Sequence, residues 1–303
     1  MTTRRKLIVT GANGFVAGSV VAQAGEEWQV HAVSRGEPLL RRDQLSWHTF
    51  DTESPEALTR LFLEVKPDAL IHTAAMADID FCQTHRESAY AVNVGLTRTL
   101  VDLCRATGAK LVFCSTDTVF DGEHAPYGED AQPGPINFYA ETKVAAEQAV
   151  ACLGAQAVIA RLSLVIGLPV LGAGNSFLAR MIASFTDGRA VAVPEHEVRT
   201  PVDVITAGRA LLELAAGRHH GIFHLAGHDR LSRFAMAQRI AARFGFAKEL
   251  VLAQAVATAA GRAARPRDVA LRNAKAGAEL ETPMRTLDEG LSLILKMSET
   301  PVL

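Results

Sequence analysis

Short apolar runs alternate with longer stretches of helical periodicity through the first half of the chain. The apolar runs, rich in aliphatic residues, predict strands at 6–10, 29–34, 46–50, 69–73, 110–115 and 157–162. Helices are predicted between them at 15–24, 55–66, 86–107 and 138–152, with Ser54 as an N-cap and Gly108 as a stop. This alternation predicts parallel strands joined by right-handed crossover helices that cover both faces of a sheet.

The pattern changes after residue 162. Glycine and proline concentrate at 167–174, which predicts a loop. Further helices are predicted at 176–186, 202–216, 233–244 and 288–297, with a strand at 221–225. The predicted fold class is therefore α/β, a Rossmann-type doubly wound parallel sheet with a smaller mixed α/β region near the C-terminus. Ligands of such sheets bind outside the carboxyl ends of the strands.

Composition excludes several classes of function. The 303 residues carry 31 Lys and Arg against 33 Asp and Glu, a formal net charge of −2, so no nucleic-acid partner is expected. No apolar stretch approaches the roughly 20 residues that span a bilayer, so no membrane partner is expected. The four cysteines and ten histidines lack ligand spacing, so no metal is expected. The cysteines are interpreted as buried thiols of a cytoplasmic protein, and His72 as a hydrogen-bonded core residue.

A glycine-rich turn joins the first strand to the first helix. Its pattern is Gly-x-x-Gly-x-x-Ala, beginning at Gly11. Glycine allows the backbone to turn tightly and to approach a pyrophosphate, which then lies on the helix N-terminus. The context of strand, turn and helix predicts dinucleotide binding rather than an ordinary β–α turn. The cofactor-binding residues expected here are Gly11, Asn13, Gly14, Phe15 and Val16.

The end of the second strand bears on the choice of cofactor. A site that prefers NAD usually has an Asp or Glu here, which binds the ribose hydroxyls. This chain has Ser34 and Arg35 instead, and an arginine can form a forked pair with a 2′-phosphate. We therefore predict that NADP(H) is preferred and that NAD(H) is the alternative. The competing interpretation is that Arg35 is a solvated surface residue.

Three polar side chains indicate proton-transfer chemistry. Tyr139 and Lys143 lie four residues apart, on one face of a predicted helix. The Lys143 ammonium is expected to favour the phenolate and to lower the pKa of Tyr139 toward the working pH. Thr116 follows the fifth strand, where its hydroxyl can hydrogen-bond a substrate carbonyl. Each feature alone is also typical of a helix surface or a turn.

These features combine into a more specific pattern. Segment 115–122 (Ser-Thr-Asp-Thr-Val-Phe-Asp-Gly) is followed by Tyr139-x-x-x-Lys143-x-x-x-Glu147, and segment 73–80 reads Thr-Ala-Ala-Met-Ala-Asp-Ile-Asp. With the glycine turn, the pattern resembles the extended short-chain dehydrogenase/reductase family and, within it, the dTDP-4-dehydrorhamnose reductase branch. The resemblance covers nearly the whole chain and is strongest over residues 7–163.

The resemblance implies a division of the chain and a set of site residues. It implies an NAD(P)(H)-binding Rossmann domain at 1–163 and 195–228, and a substrate-binding region at 164–194 and 229–303. The implied catalytic residues are Thr116, Tyr139 and Lys143, of which Tyr139 and Lys143 also contact the cofactor. The further cofactor-binding residues are Asp51, Thr73, Ala74, Ala75 and Asn93. The implied substrate-binding residues are Met76, Asp117, Asn175 and Arg199.

The chain departs from that branch in its substrate half. The reductases usually carry Arg-Pro followed by a serine, and here Val269 stands at the serine position after Arg265-Pro266. A tryptophan of the branch is missing near Met284. The cofactor half therefore matches better than the substrate half, so the resemblance does not transfer dTDP-4-dehydrorhamnose as the substrate.

The predicted function is an NADP(H)-dependent reductase of a keto-sugar, expected to be nucleotide-linked. One alternative is an NAD-dependent sugar-nucleotide epimerase or dehydratase, which would retain its cofactor through the cycle. Another is a non-catalytic regulatory subunit that keeps the nucleotide fold. The resemblance also suggests a homodimer formed through the helices near 86–107 and 138–152.

Overall fold

The computed structural model describes residues 4–49, 54–171, 176–254 and 262–299. Within these ranges, seven parallel strands form one central sheet and three short strand pairs lie outside it. The strands in chain order are β1 (Arg5–Thr10), β2 (Trp28–Ser34), β3 (Leu45–Thr49), β4 (Ala69–His72), β5 (Lys110–Thr116), β6 (Ala157–Leu162), β7 (Val165–Ile166), β8 (Val191–Pro194), β9 (Val198–Arg199), β10 (Val202–Asp203), β11 (Gly221–Leu225), β12 (Leu231–Ser232) and β13 (Val251–Gln254).

The central sheet has the order β11-β6-β5-β4-β1-β2-β3, so the chain starts in the middle and winds outward in both directions. Helices connect the strands across both faces. The described helices are α1 (Phe15–Gln23), α2 (Pro55–Val65), α3 (Ile79–Thr84), α4 (Arg86–Tyr90), α5 (Leu96–Thr107), α6 (Phe138–Ala151), α7 (Phe177–Thr186), α8 (Val204–Ala216), α9 (Arg233–Arg243), α10 (Ala274–Glu279) and α11 (Leu287–Glu299). The predicted doubly wound parallel sheet is confirmed.

Alternate residues of each buried strand pack on opposite faces of the sheet. In β1, Leu7 and Val9 belong to the hydrophobic cluster that includes α1 and α8, whereas Ile8 belongs to the cluster that includes α2, α5 and α6. All three side chains are fully buried. Burial on both faces explains why these strands are continuous apolar runs in the sequence.

A third hydrophobic cluster lies in the C-terminal part of the chain. It joins α7, α9 and α11 to the pair of strands formed by β8 and β13. This cluster is the core of the smaller mixed α/β region. The boundaries 1–163 with 195–228, and 164–194 with 229–303, stay a prediction.

Two predicted helices differ from the structure. The helix at 86–107 is interrupted by a π-helical turn at Ala91–Gly95, and the separate helix α3 before it was not predicted. The helix at 202–216 begins two residues later, at Val204, because the Asp203 carboxylate accepts a hydrogen bond from the Thr206 amide at 2.8 Å and so caps α8. The two predicted helix signals at Ser54 and Gly108 are confirmed: Ser54 caps α2, and Gly108 ends α5 with φ of 77°.

The interpretation of the cysteines is correct for three of four. Cys82, Cys104 and Cys114 are buried, and all four thiols are free. The interpretation is wrong for Cys152, which is exposed because it follows the last residue of α6 at the protein surface. None of the helices in the described ranges has both the length and the apolar character needed to cross a membrane. Within the same ranges no cluster of His, Cys, Asp and Glu is arranged to hold a metal ion.

His72 is a fully enclosed hydrogen-bonded histidine, as its position in β4 predicted. Its Nε2 lies 3.1 Å from the Thr97 hydroxyl, which itself donates to the Asn93 carbonyl, so Nε2 is the donor. Its Nδ1 then accepts from the Thr10 hydroxyl at 2.7 Å. Burial, followed by the charge of Lys143, lowers the pKa of His72 to about 3.

We expect His72 to make the fold sensitive to acid. Between the unfolded pKa and about pH 3, the unfolded chain binds one proton at this site and the folded chain binds none, so stability falls as pH falls. In His72→Gln, the slope of the unfolding free energy against pH should decrease by up to about 1.4 kcal/mol per pH unit. Urea denaturation between pH 4 and 6 measures this slope, with the exposed His220→Gln as control. An unchanged slope in His72→Gln would contradict the assignment.

Candidate active site

The glycine turn after β1 is built for close approach of the backbone. Gly11 has φ of +71°, and a Cβ at this position would lie 2.9 Å from the backbone of Ala74, which follows β4. The Gly14 amide donates to the Gly11 carbonyl at 2.7 Å, and Gly14 is the N-cap residue that precedes α1. Within the described ranges no side chain caps this helix, so its first amides face the crevice at the sheet edge.

This crevice has a volume of about 390 Å³ and lies outside the carboxyl ends of β1, β2 and β4. Its lining residues are Gly11, Asn13, Gly14, Ser34, Arg35, Gly36, Thr73, Ala74, Ala75 and Val92. Eight of these ten residues are among the predicted cofactor-binding residues. Gly36 and Val92 were missed, although Gly36 directly follows Arg35 and Val92 directly precedes Asn93.

The rim of the crevice has the polar groups that an adenosine needs. The Ser34 hydroxyl donates to the Gly36 carbonyl at 2.8 Å, which shapes the turn that carries the exposed Arg35. The Asn13 amide nitrogen donates to the Glu37 carbonyl at 3.1 Å. Its Oδ1 is buried and has no hydrogen-bond partner among the described residues, so it is available to accept from a ribose hydroxyl. The crevice therefore fits a dinucleotide.

Two further predicted cofactor-binding residues, Phe15 and Val16, are not among the lining residues named above. Phe15 and Val16 are the first residues of α1, at the crevice side of the turn. Asp51 and Asn175 lie outside the described residues. The roles assigned to these four positions, like those of the other predicted site residues, stay predictions.

Asn93 fixes the segment that leads from the crevice to the catalytic residues. It lies in the π-helical turn, where the helix widens, and its side chain bonds both backbone groups of Met76: Oδ1 accepts from N at 2.8 Å and Nδ2 donates to O at 3.0 Å. Nδ2 also donates to Thr142 on α6 at 2.9 Å. Met76 itself packs in the small hydrophobic cluster that contains Tyr139. The structure gives Asn93 a role in positioning this segment.

The predicted catalytic residues meet at the end of β5. Thr116 is the last residue of β5, and its hydroxyl lies within hydrogen-bonding reach of the Tyr139 phenol on α6. Lys143 lies one turn further along α6, where Nζ donates to the Cys114 carbonyl at 2.7 Å and lies 4.1 Å from the centre of the Phe113 ring. A phenol, a hydroxyl and an amine from two elements are therefore brought together beside the crevice.

The predicted lowering of the Tyr139 pKa is wrong. Burial raises the pKa of the phenol above its usual range, and the neighbouring Asp117 carboxylate raises it further. Burial also lowers the pKa of Lys143 to about 8, against the opposing influence of Cys114 and Glu147. Removal from water is the main influence on the pKa of both groups, because each side chain is almost fully enclosed. Tyr139 therefore remains a protonated donor at neutral pH.

Asp117 connects the catalytic residues to the C-terminal region. Its carboxylate accepts from the Ser163 hydroxyl at 3.2 Å and from the Thr116 hydroxyl at 3.3 Å, and it lies 3.7 Å from Nε of Arg199. Arg199 is buried, and its guanidinium also donates to the carbonyls of Val198 and Pro266. The structure thus places Asp117 and Arg199 together and engages Arg199 within the protein, and their role in substrate binding stays a prediction.

A cluster of charges around Glu197 was not predicted. Glu197 lies within 3.9 Å of Arg199, 3.5 Å of Arg233 and 3.5 Å of Arg262. The Arg233 guanidinium also lies 4.8 Å from the centre of the Phe177 ring on α7. Arg199 also lies next to Asp117, so the three guanidiniums exceed the two carboxylates of Glu197 and Asp117 by one charge. The sequence did not indicate this cluster, because its three arginines lie on β9, on α9 and in the segment before Ala263, which meet only in the fold.

Fold and site together define the class of protein. A parallel sheet with a glycine turn after β1, and a Thr116, Tyr139 and Lys143 group at the end of β5, is the arrangement of an extended short-chain dehydrogenase/reductase. The profile of the family described as "RmlD substrate binding domain" matches residues 5–300. The chain belongs to this family, and the resemblance stated from the sequence is confirmed.

Three relatives illustrate the range of the family. The dTDP-4-dehydrorhamnose reductase of Mycobacterium tuberculosis is 31% identical over 241 residues, which cover 78% of this chain and 74% of that protein. Methionine adenosyltransferase 2 subunit beta of Rattus norvegicus is 29% identical over 246 residues, which cover 79% and 72%. The crystal structure of dTDP-4-dehydrorhamnose reductase from Bacillus anthracis in complex with NADP has a TM-score of 0.85 and 26% identity, covering 98% of this chain and 100% of that chain.

The glycine turn can be tested with two matched substitutions. Gly11→Ala introduces a side chain at positive φ and also brings Cβ against the Ala74 backbone. Gly108→Ala has the same left-handed strain, but no atom lies within 4 Å of its Cβ position. Gly108→Ala should cost about 1 kcal/mol of stability, and Gly11→Ala should cost more and weaken NADPH binding. Denaturant unfolding and NADPH fluorescence titration measure the two effects. Equal stability losses and unchanged NADPH affinity would refute the close-approach role of Gly11.

Proposed function

We propose that this chain is an NADP(H)-dependent reductase that acts on the carbonyl group of a nucleotide-linked keto-sugar. The observation that carries the proposal is the juxtaposition of the dinucleotide crevice with the Thr116, Tyr139 and Lys143 group. The crevice residues Thr73–Ala75 lead through Met76 directly to Tyr139. A cofactor in the crevice and a carbonyl beside the phenol would therefore share one site.

NADPH, when bound, supplies the hydride for the carbonyl carbon. Tyr139 donates its phenolic proton to the oxygen, on which negative charge develops, and its raised pKa keeps that proton in place before the reaction. The Thr116 hydroxyl orients the same oxygen. Lys143, held by the Cys114 carbonyl and the Phe113 ring, stabilises the phenolate that Tyr139 becomes and would bind the hydroxyls of the nicotinamide ribose.

Arg35 supports the preference for NADP(H). It is exposed at the end of β2 and lines the crevice next to Ser34 and Gly36. A guanidinium in this position would pair with a 2′-phosphate, whereas NAD(H) lacks that group and would bind less tightly. The similar reductase from Bacillus anthracis was crystallised in complex with NADP, which supports the same assignment.

Three observations support a nucleotide-linked substrate. The Mycobacterium tuberculosis relative is named as a reductase of dTDP-4-dehydrorhamnose, which is a nucleotide sugar. The excess positive charge around Glu197, which Arg199 connects to Asp117, suits a diphosphate. Met76 and Asp117 flank Tyr139 and Thr116, where the sugar would lie. Asn175 and Arg199 are retained as substrate-binding proposals.

We expect Arg35→Ala to reduce cofactor discrimination. The dissociation constant of NADPH should rise by about tenfold, since a charge-assisted pair with a phosphate is worth about 1.5 kcal/mol, and that of NADH should change little. Fluorescence titration with both cofactors gives the ratio. The exposed Arg105→Ala on α5 is the control for loss of a surface arginine. An unchanged ratio would reject the role of Arg35.

Tyr139→Phe should remove the proton donor and leave the cofactor site intact. We expect kcat for keto-sugar reduction to fall by about 10²- to 10⁴-fold, with little change in NADPH affinity. Tyr90→Phe, which alters an exposed phenol, should retain full activity. Stopped-flow absorbance of NADPH oxidation measures the rates. Full turnover by Tyr139→Phe would refute the proposed mechanism.

The similarity to the beta subunit of methionine adenosyltransferase 2 keeps a regulatory subunit as the second candidate function. A regulatory subunit would bind NADPH without oxidising it when nucleotide-linked keto-sugars are supplied, and would copurify with another enzyme. The alternative of an epimerase or dehydratase predicts that the purified protein retains NAD, which absorbance spectra detect.

We also propose a cytoplasmic homodimer. Its interface would use the outer faces of the helices near 86–107 and 138–152. Tyr90 lies on the first of these helices and is exposed, which suits an interface.

A further inference from the structure

We propose that Glu147 is a positioning residue for the reaction, because its carboxylate ties the helix that carries Tyr139 and Lys143 to the strand that carries Thr116. The inference rests on the proposed function, since it concerns the geometry of that reaction. Glu147 lies on α6 one turn beyond Lys143 and two turns beyond Tyr139. All three side chains are buried.

The Glu147 carboxylate contacts two strands at once. Oε1 accepts a hydrogen bond from the Ser115 hydroxyl at 2.5 Å, and Ser115 is the residue before Thr116 on β5. The same oxygen accepts from Nε of Arg161 on β6 at 3.0 Å, while Oε2 accepts from Nη2 at 2.7 Å. This forked pair fixes both the position and the rotation of α6 over the sheet. The distance from the phenol of Tyr139 to Thr116 depends on that position.

The ion pair between Glu147 and Arg161 restricts the position of α6, because few other groups compensate the charge of Arg161. Its side chain is 2% exposed, and its guanidinium lies 5.0 Å from the centre of the Phe120 ring. His224, its register partner on β11, stays neutral, since burial and then the charge of Arg161 lower its pKa to about 3. Among the described residues Glu147 is the carboxylate that pairs with Arg161. A buried charge without a partner is strongly unfavourable, so the pair holds α6 in one place.

Glu147 also acts on the charge of Lys143. The groups that face Lys143 are Cys114 on β5, His72 on β4, and Tyr139 and Glu147 on α6. Burial keeps the first three neutral at pH 7, raising the pKa of Cys114 to about 12 and lowering that of His72 to about 3. The Glu147 carboxylate therefore supplies the negative charge that opposes the lowering of the Lys143 pKa. Without it, Lys143 would lose its proton at lower pH.

Glu147→Gln tests both effects with nearly unchanged shape. We expect kcat for NADPH-dependent reduction of a nucleotide-linked keto-sugar to fall by about 100-fold, because small misplacements of reacting groups have effects of this size. The decline of kcat at high pH, which follows deprotonation of Lys143, should begin about one pH unit lower. NADPH affinity at pH 6.5 should stay close to that of the wild type. Rates from pH 6 to 10 provide the profile.

Three further variants separate positioning from general stability. Glu147→Asp keeps the charge and should restore the pH profile without restoring kcat in full. Ser115→Ala keeps the ion pair and should lower kcat less, with the wild-type pH profile. Glu213→Gln makes the same chemical change on α8, where the carboxylate accepts from the amides of Glu281 and Thr282, and should match the wild type in kcat and pH profile.

The possible outcomes are distinct. If Glu147→Gln lowers only the melting temperature and keeps the wild-type kcat and pH profile, Glu147 is merely structural and the proposal is overturned. If Glu147→Gln does not fold, the test rests on Ser115→Ala and Glu147→Asp. Wild-type kcat in both of these variants would overturn the proposal. If the wild type reduces no keto-sugar, the proposed function fails instead. In that case the pH dependence of NADPH affinity is measured instead of kcat. The same pH dependence in Glu147→Gln as in the wild type would overturn the positioning role.

Discussion

The common direction of the central strands is the constraint on which the site depends. Because β1, β2, β4 and β5 are parallel, their carboxyl ends meet at one edge of the sheet. Gly11, Arg35, Thr73 and Thr116 each stand at or just beyond such an end and are brought together although they are far apart in sequence. An antiparallel strand at any of these positions would send its functional residue to the opposite edge.

Local sequence predicted the central sheet well because each of its inner strands is buried on both faces. The central residues of β1 are apolar, β6 has a single polar residue, the buried Arg161, and the predicted and observed limits of β6 coincide. The strand pairs outside the sheet could not be found in this way. β7, β9 and β10 have two residues each, which is too few for any periodicity. The π-helical turn around Asn93 depends on contacts with Met76 and Thr142, which sequence patterns do not contain.

The sequence pointed to residues that line the crevice or lie beside it, but it did not predict the electrostatics around them. Glycine spacing and hydroxyl positions are local features, so Gly11, Gly14 and Thr116 could be found from sequence. The pKa of Tyr139 is determined by how completely α6 covers the phenol and by the carboxylate of Asp117. The charge of Lys143, one turn away, does not lower this pKa because desolvation outweighs the attraction between neighbouring groups when both are buried. The inward orientation of Arg199 has the same origin, since its partners come from the turn after β5, from β9 and from the segment around Pro266.

The departures from the reductase pattern in the C-terminal half can be divided by what each residue contacts. Val269 is fully buried with Phe120, Tyr127 and Leu271, so packing beneath the turn after β5 determines its apolar character. A polar residue there would lie in the core rather than in the crevice. The charged groups around Glu197 are different, because Arg233 and Arg262 remain partly exposed beside Glu197. A buried valine at position 269 therefore follows from core packing, and the loss of the serine does not argue against the proposed nucleotide-linked ligand.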